Sequence, residues 1–207
     1  MTAQLPLDLP PSALPRVPYQ MPEPRSSRPP LVLVGEAPGR DEVKEGRPFV
    51  GRSGQLLDRN LLAAGIERRA CLVANVFRFQ PPGNKVGHFF SSRAKARRLG
   101  GNVDEQWGPF GTSDYCLSEF SGEIAALKAM LAEVRPAAIV ALGRTPLWAL
   151  TGLGGILERR GSVLPCRLLE GAKVVPTYHP SYILRGNHHV APQFEADLRL
   201  AFGLAKG

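Results

Sequence analysis

Cysteine is scarce in this chain of 207 residues, and the three present, Cys71, Cys116 and Cys166, include no C-x-x-C pair. An odd, scattered set excludes a disulfide framework and a thiol metal site of ordinary spacing, and it suits a reducing compartment. Long apolar runs are also missing. None approaches the ~20 residues a membrane span requires, and no basic stretch followed by an apolar core opens the chain as a secretory leader does. Acid is the third shortage: 18 Asp and Glu face 26 Lys and Arg, a net charge of +8, and no acidic residue stands between Ala70 and Val103. That balance favours a polyanionic partner without constraining the fold. Hydrophobic residues at 43% and charged residues at 21% exclude wholesale disorder. The expectation is a soluble, intracellular protein.

Proline is abundant but uneven. Nine of the twenty prolines fall in residues 1–30, which read as an extended arm lying along the domain and outside its core. Residues 31–207 form the domain. Short apolar runs at 31–34, 71–76, 137–142 and 173–178 read as buried strands. Between them lie helical patterns. Ser53 caps a helix with Leu56, Leu57, Leu61 and Leu62 on its apolar face, ended by Gly65; a second spans 122–134 and ends at Arg135-Pro136. Thr145 and Pro146 open a third as cap and first turn, and 192–204 closes the chain. This alternation predicts an α/β fold with a parallel sheet covered on both faces. Residues 85–121, rich in Gly and Ser and carrying Arg93, Lys95, Arg97 and Arg98, read as a basic inserted loop with one short helix near 92–99.

Chemistry gathers at the strand ends. The first strand empties into Gly35-Glu36-Ala37-Pro38-Gly39 and then Asp41, Glu42 and Phe49; the second ends near Asn75 and the fourth near His179. Open α/β sheets bind ligands at that edge. A phosphate cradle is excluded, because the loop lacks G-x-G-x-x-G and G-K-[ST] spacing and places an acid and an imino acid where N–H donors are needed.

Four segments, GEAPGRDEVKEGRPFVGRSGQLLD (35–58), ANVFRFQPPGNK (74–85), AAIVALGRTPLWALTG (137–152) and VVPTYHPSYILR (174–185), resemble the uracil-DNA glycosylase superfamily, nearest its family-4 enzymes. The resemblance implies a three-layer α/β/α sandwich with a central four-stranded parallel sheet. It also implies a monofunctional hydrolase that flips uracil out of DNA and leaves an abasic site, acting as a monomer, with no membrane partner. Phe49 matches the ring that stacks on uracil, and Asn75 the amide that reads its O4 and N3–H edge. Glu36 and Ala37 line the base, with Glu36 against the C5 edge. His179 matches the donor to uracil O2. Ala37 stands where many relatives place an acid, so the carboxylate near the sugar falls to Glu42, with Asp41 as its rival. Tyr182, Ile183 and Leu184, following the His-Pro-Ser turn, resemble the DNA-inserting wedge, divided between intercalation and anchoring; Ser181 is expected on DNA, Arg185 on a phosphate, and Lys85, Arg93 and Arg97 suit phosphates.

Two departures from the family pattern matter. Family-4 enzymes hold an iron–sulfur cluster on four cysteines; here the position before Pro81 and Pro82 in that motif is Phe79 and the arm has no cysteine, so no cluster, metal or cofactor is expected. Phe79, Phe89, Phe90, Trp107 and Phe110 are expected to pack in its stead. A related branch captures DNA covalently through a histidine in a basic insertion, but residues 157–162 contain none, which implies turnover. No motif lysine is placed for Schiff-base chemistry. The competing reading is a weakly catalytic or non-catalytic binder of damaged or abasic DNA.

Overall fold

Four apolar residues in succession have no polar face to offer water, so such a strand is stable only when both sides of its sheet are covered. In the computed structural model, which describes residues 11–24 and 29–206, this run becomes strand β1 (Val32–Gly35). Helix α1 (Arg40–Glu45), helix α2 (Gly51–Ala63) and strand β2 (Leu72–Asn75) follow. The next portion holds β3 (Phe90–Ser92), α3 (Arg93–Arg98), β4 (Val103–Asp104) and β5 (Asp114–Leu117). Then come α4 (Ser118–Val134), β6 (Ala138–Leu142), α5 (Arg144–Thr151), α6 (Ile156–Arg159) and β7 (Leu164–Pro165). The chain closes with β8 (Lys173–Thr177), α7 (Pro180–Leu184) and α8 (Ala191–Lys206).

The central sheet runs β2-β1-β6-β8-β7. Its first four strands are mutually parallel, matching the four expected, and β7 joins antiparallel to β8 as a fifth. Nothing in the sequence marks β7, because two residues are too few for a pattern and one is Pro165; a proline is tolerated there because the strand lies at the edge. Side chains alternate across the sheet. Val32 and Val34 face α4 and α5 through Ile124, Leu127, Leu147 and Trp148, while Leu31 and Leu33 face α2 and α8 through Leu57, Leu61, Phe194 and Leu198. The result is helix, sheet and helix in three layers.

Some local expectations change. Leu62 is 79% exposed, so the apolar stripe of α2 ends at its neighbour Leu61. The helix expected at 122–134 begins four residues earlier, at Ser118. Residues 85–121 are not a loop with one helix. They fold as a three-stranded antiparallel sheet, β3-β5-β4, with α3 where the short helix was expected and capped by Ser92, whose hydroxyl accepts the Lys95 N–H at 3.3 Å. Strands of two to four residues leave no alternation to read. The arm also reaches further in than expected: Leu14 is buried in the core, and Gln20 and Val73 exchange backbone hydrogen bonds of 2.8 and 2.9 Å along the edge of β2. Among the described residues, no helix is long and apolar enough to cross a membrane.

Candidate active site

Parallel pairing sets Gly35, the last residue of β1, level with Asn75, the last of β2. Phe49 comes up beside them from the turn between α1 and α2, with φ at +51°. Two glycines make room for it. A Cβ on Gly35 would stand 2.5 Å from Asn75 Oδ1 and from the Phe49 ring, and one on Gly54 would collide with the Phe49 carbonyl. Phe49 and Asn75 are each 5% exposed, so the ring and the amide form the floor of a cavity instead of projecting from the surface. The cavity holds roughly 320 Å³ and also receives Glu36, Glu42 and His179, within the size range of small-ligand sites.

His179 sits at the cap position of α7, immediately before Pro180. Its Nδ1 accepts the Ser181 N–H at 3.1 Å and lies 2.8 Å from Ser181 Oγ. A backbone N–H can only donate, so Nδ1 carries a lone pair and the ring proton is on Nε2. Burial, aided by the positive Arg185, lowers the imidazole pKa to about 4. At neutral pH the ring is therefore uncharged and still a donor. Its centroid lies 5.8 Å from that of Phe49.

The acids divide by position. Glu36 follows β1, accepts the hydroxyl proton of Thr145 and lines the cavity. Burial raises its pKa, opposed by that hydrogen bond and by the charges of Arg144 and Arg185. Thr145 was expected to cap α5, but Gly143 holds the cap position, and the wholly buried Thr145 turns its hydroxyl to Glu36. Glu42 Oε2 accepts the Gly39 N–H at 3.0 Å, which ties the carboxylate to the cavity wall. Asp41 is exposed and lies against Gly51 in a shallower depression outside. Of the two rivals, Glu42 is in the cavity and Asp41 is not. Ala37 lines the cavity as expected. Pro38, Gly39, Ser53, Pro81 and Asn84 line it too without having been expected in the site; Ser53, expected to cap α2, lies instead inside its first turn, and the cap position is Val50.

The segment expected to meet DNA sorts in the same way. Tyr182 stacks on Tyr178 with centroids 5.4 Å apart, and Arg185 is exposed at the cavity rim. Ile183 is 1% exposed and packed in the core between α7 and α2, the anchoring half of the expected split; Leu184 packs partly buried against the same cluster. Ser181, expected on DNA, spends its hydroxyl and N–H on His179. Lys85 and Arg97 are exposed, whereas Arg93 makes paired bonds of 2.7 and 2.6 Å to Glu105 and one to Tyr115, so its charge is already matched.

The thiols do not fit an iron–sulfur cluster. All three are buried, Cys71 in one core and Cys116 and Cys166 in the other, and burial raises each pKa, that of Cys71 to about 12. Cluster ligation needs four thiolates gathered around one cluster, whereas this chain has three cysteines divided between two cores, and among the described residues no group of three His, Cys, Asp or Glu side chains is arranged to hold a metal ion. The aromatic residues do pack together: Phe90 stacks on Phe110 at 4.1 Å, Phe79 meets Phe120 edge-on, and Phe89 and Trp107 are buried in the same core.

Comparison with known proteins agrees with this geometry. Residues 23–201 match the family model described as the uracil DNA glycosylase superfamily. The chain is 36% identical over 157 residues to a Type-4 uracil-DNA glycosylase of Thermotoga maritima, covering 75% of this chain and 66% of the relative. It is 30% identical over 179 residues to the Type-4 enzyme of Pyrobaculum aerophilum (84% of this chain, 76% of the relative) and 29% identical over 175 residues to that of Archaeoglobus fulgidus (82% and 73%). The chain thus spans about two thirds to three quarters of the length of these relatives. It belongs to the uracil DNA glycosylase superfamily.

Proposed function

We propose that the cavity floored by Phe49 and Asn75 holds a uracil turned out of the DNA stack. Membership of the superfamily, together with the Type-4 uracil-DNA glycosylases among its relatives, supports a uracil-DNA glycosylase, an N-glycosyl hydrolase of DNA repair whose substrate is uracil-containing DNA. The observation that carries the detailed reading is the convergence, in one cavity, of a ring, an amide, a neutral imidazole donor and a carboxylate from three separate segments.

Each group has a physical task. The Phe49 ring stacks on the base, a contact worth ~1–3 kcal/mol. Asn75 offers a donor to O4 and an acceptor to N3–H; cytosine presents the reverse pattern, so the same amide rejects it. Breaking the C1′–N bond sends its electron pair into the uracil ring and leaves positive charge on the sugar. The Nε2–H of His179 stabilises the charge arriving at O2, as an oxyanion-hole donor does. Glu42 stabilises the sugar cation and takes a proton from the water that adds to C1′. Glu36 lies against C5 and crowds out thymine's methyl. Tyr182 enters the gap in the stack and Arg185 meets a phosphate. The products are uracil and an uncut abasic strand, the enzyme works as a monomer, and it resides with DNA in the cytoplasm or nucleoid.

An oligonucleotide with a single uracil tests this. The expected result is free uracil and a strand that breaks only after alkali, with His179→Ala and Glu42→Gln slowed about 100-fold or more while remaining folded. Full activity in either variant removes that residue from the mechanism. Tight binding of abasic DNA without any excision favours a binder over an enzyme.

A further inference from the structure

Phe49 carries a side chain yet occupies left-handed backbone, a conformation that persists only where its surroundings enforce it. The enforcing group lies outside the cavity. Arg68, in the short turn before β2, donates from Nη1 to the Phe49 carbonyl at 2.9 Å and from Nη2 to the Pro48 carbonyl at 2.8 Å. In extended chain, successive carbonyls point to opposite sides, so one guanidinium reaches both only because the backbone turns between them. The fork is itself fixed from two sides. Nη1 lies 2.6 Å from Asp58 Oδ1 on α2, and Nη2 donates to Gln20 Oε1 at 3.2 Å. Gln20 belongs to the proline-rich arm and is pinned to β2 by its paired backbone bonds with Val73. The Arg68 side chain is 18% exposed, so little of it remains for any other partner.

We propose that Arg68 is a positioning residue for base stacking and that the N-terminal arm, through Gln20, completes the clamp that aims the Phe49 ring. This rests on the reading of Phe49 as the ring beneath the flipped uracil. It gives the arm a part in the reaction, and it explains why a planar fork with several donors stands where a lysine would reach only one carbonyl.

Single-turnover excision from a single-stranded uracil oligonucleotide, measured alongside affinity for an abasic oligonucleotide, tests the clamp. Arg68→Ala is expected to slow excision about 100-fold with abasic affinity unchanged, the mark of a misplaced ring and not of a lost DNA contact. Arg68→Lys recovers a minor part, and Gln20→Ala slows excision about threefold. Because Arg68 acts through Phe49, the Arg68→Ala/Phe49→Ala double variant is no slower than Phe49→Ala alone. Additive losses overturn the proposal, as does wild-type excision by Arg68→Ala while Phe49→Ala is slow; in both cases the stacking reading stands. Wild-type excision by Phe49→Ala removes the stacking reading and the clamp together. Should Arg68→Ala fail to fold, wild-type rates in both Arg68→Lys and Gln20→Ala overturn the clamp.

Discussion

His179 illustrates how a single side chain is set by its immediate neighbours. The Ser181 N–H fixes its tautomer, and burial together with Arg185 keeps it neutral down to about pH 4. In the unfolded chain the same imidazole titrates near ~6.5. Between those values the unfolded state binds the extra proton, so this group's contribution is complete above about pH 6.5 and is lost as the pH falls towards about 4. Urea unfolding at pH 7 and pH 4.5 is therefore expected to show a loss on the order of 2–3 kcal/mol that His179→Asn largely removes. Excision, for its part, shows no titration near pH 6.5; a rise in rate on acidification through that value would mean that the charged imidazole is the working form. The residues with chemical side chains after strands, Asn75, Phe49 and His179, were legible in the sequence because their motifs are specific. Thr145 and Gly35 were not. The partner of Thr145 is 109 positions away, and Gly35 matters through the Cβ it lacks, a property visible only once Phe49 and Asn75 stand beside it.

At the scale of elements, the four parallel strands and their helices followed from apolar runs and helical spacing, whereas β7 and the small antiparallel sheet did not, since their strands are too short to carry a period. One polar tie joins these elements across the core face. Glu123 of α4 accepts three hydrogen bonds from Arg78, at 2.7, 2.8 and 3.0 Å, just beyond β2, and Arg16 of the arm lies 3.9 Å away. Glu123 is only 6% exposed. Removing one partner of such a pair strands the other charge, so Glu123→Ala is expected to cost about 3 kcal/mol in urea unfolding. A cost below about 1 kcal/mol would place the pair among ordinary surface bridges. Glu123 lies outside the cavity, and excision by the folded variant stays near the wild-type rate.

For the whole molecule, the charge of +8 speaks to association with DNA. Counting basic residues overstates the binding face, because Arg93 is matched by Glu105, and Arg160 is held by Asp197 while lying over Tyr178. Arg185, exposed at the cavity rim, has no such partner among the described residues. Affinity for single-stranded DNA, measured at several salt concentrations, is expected to fall with a slope that Arg185→Ala makes shallower by about 0.7, the value of one phosphate contact. Arg93→Ala leaves the slope unchanged. The reverse ranking would move the DNA path onto the small sheet. Whether one cavity aims ring, amide and imidazole at the same base is read out by a crystal structure with free uracil. The expected complex has the base stacked on Phe49, its O4 and N3–H edge at Asn75 and its O2 at His179 Nε2. A base bound outside this cavity, or within it with O2 turned away from His179, would contradict it.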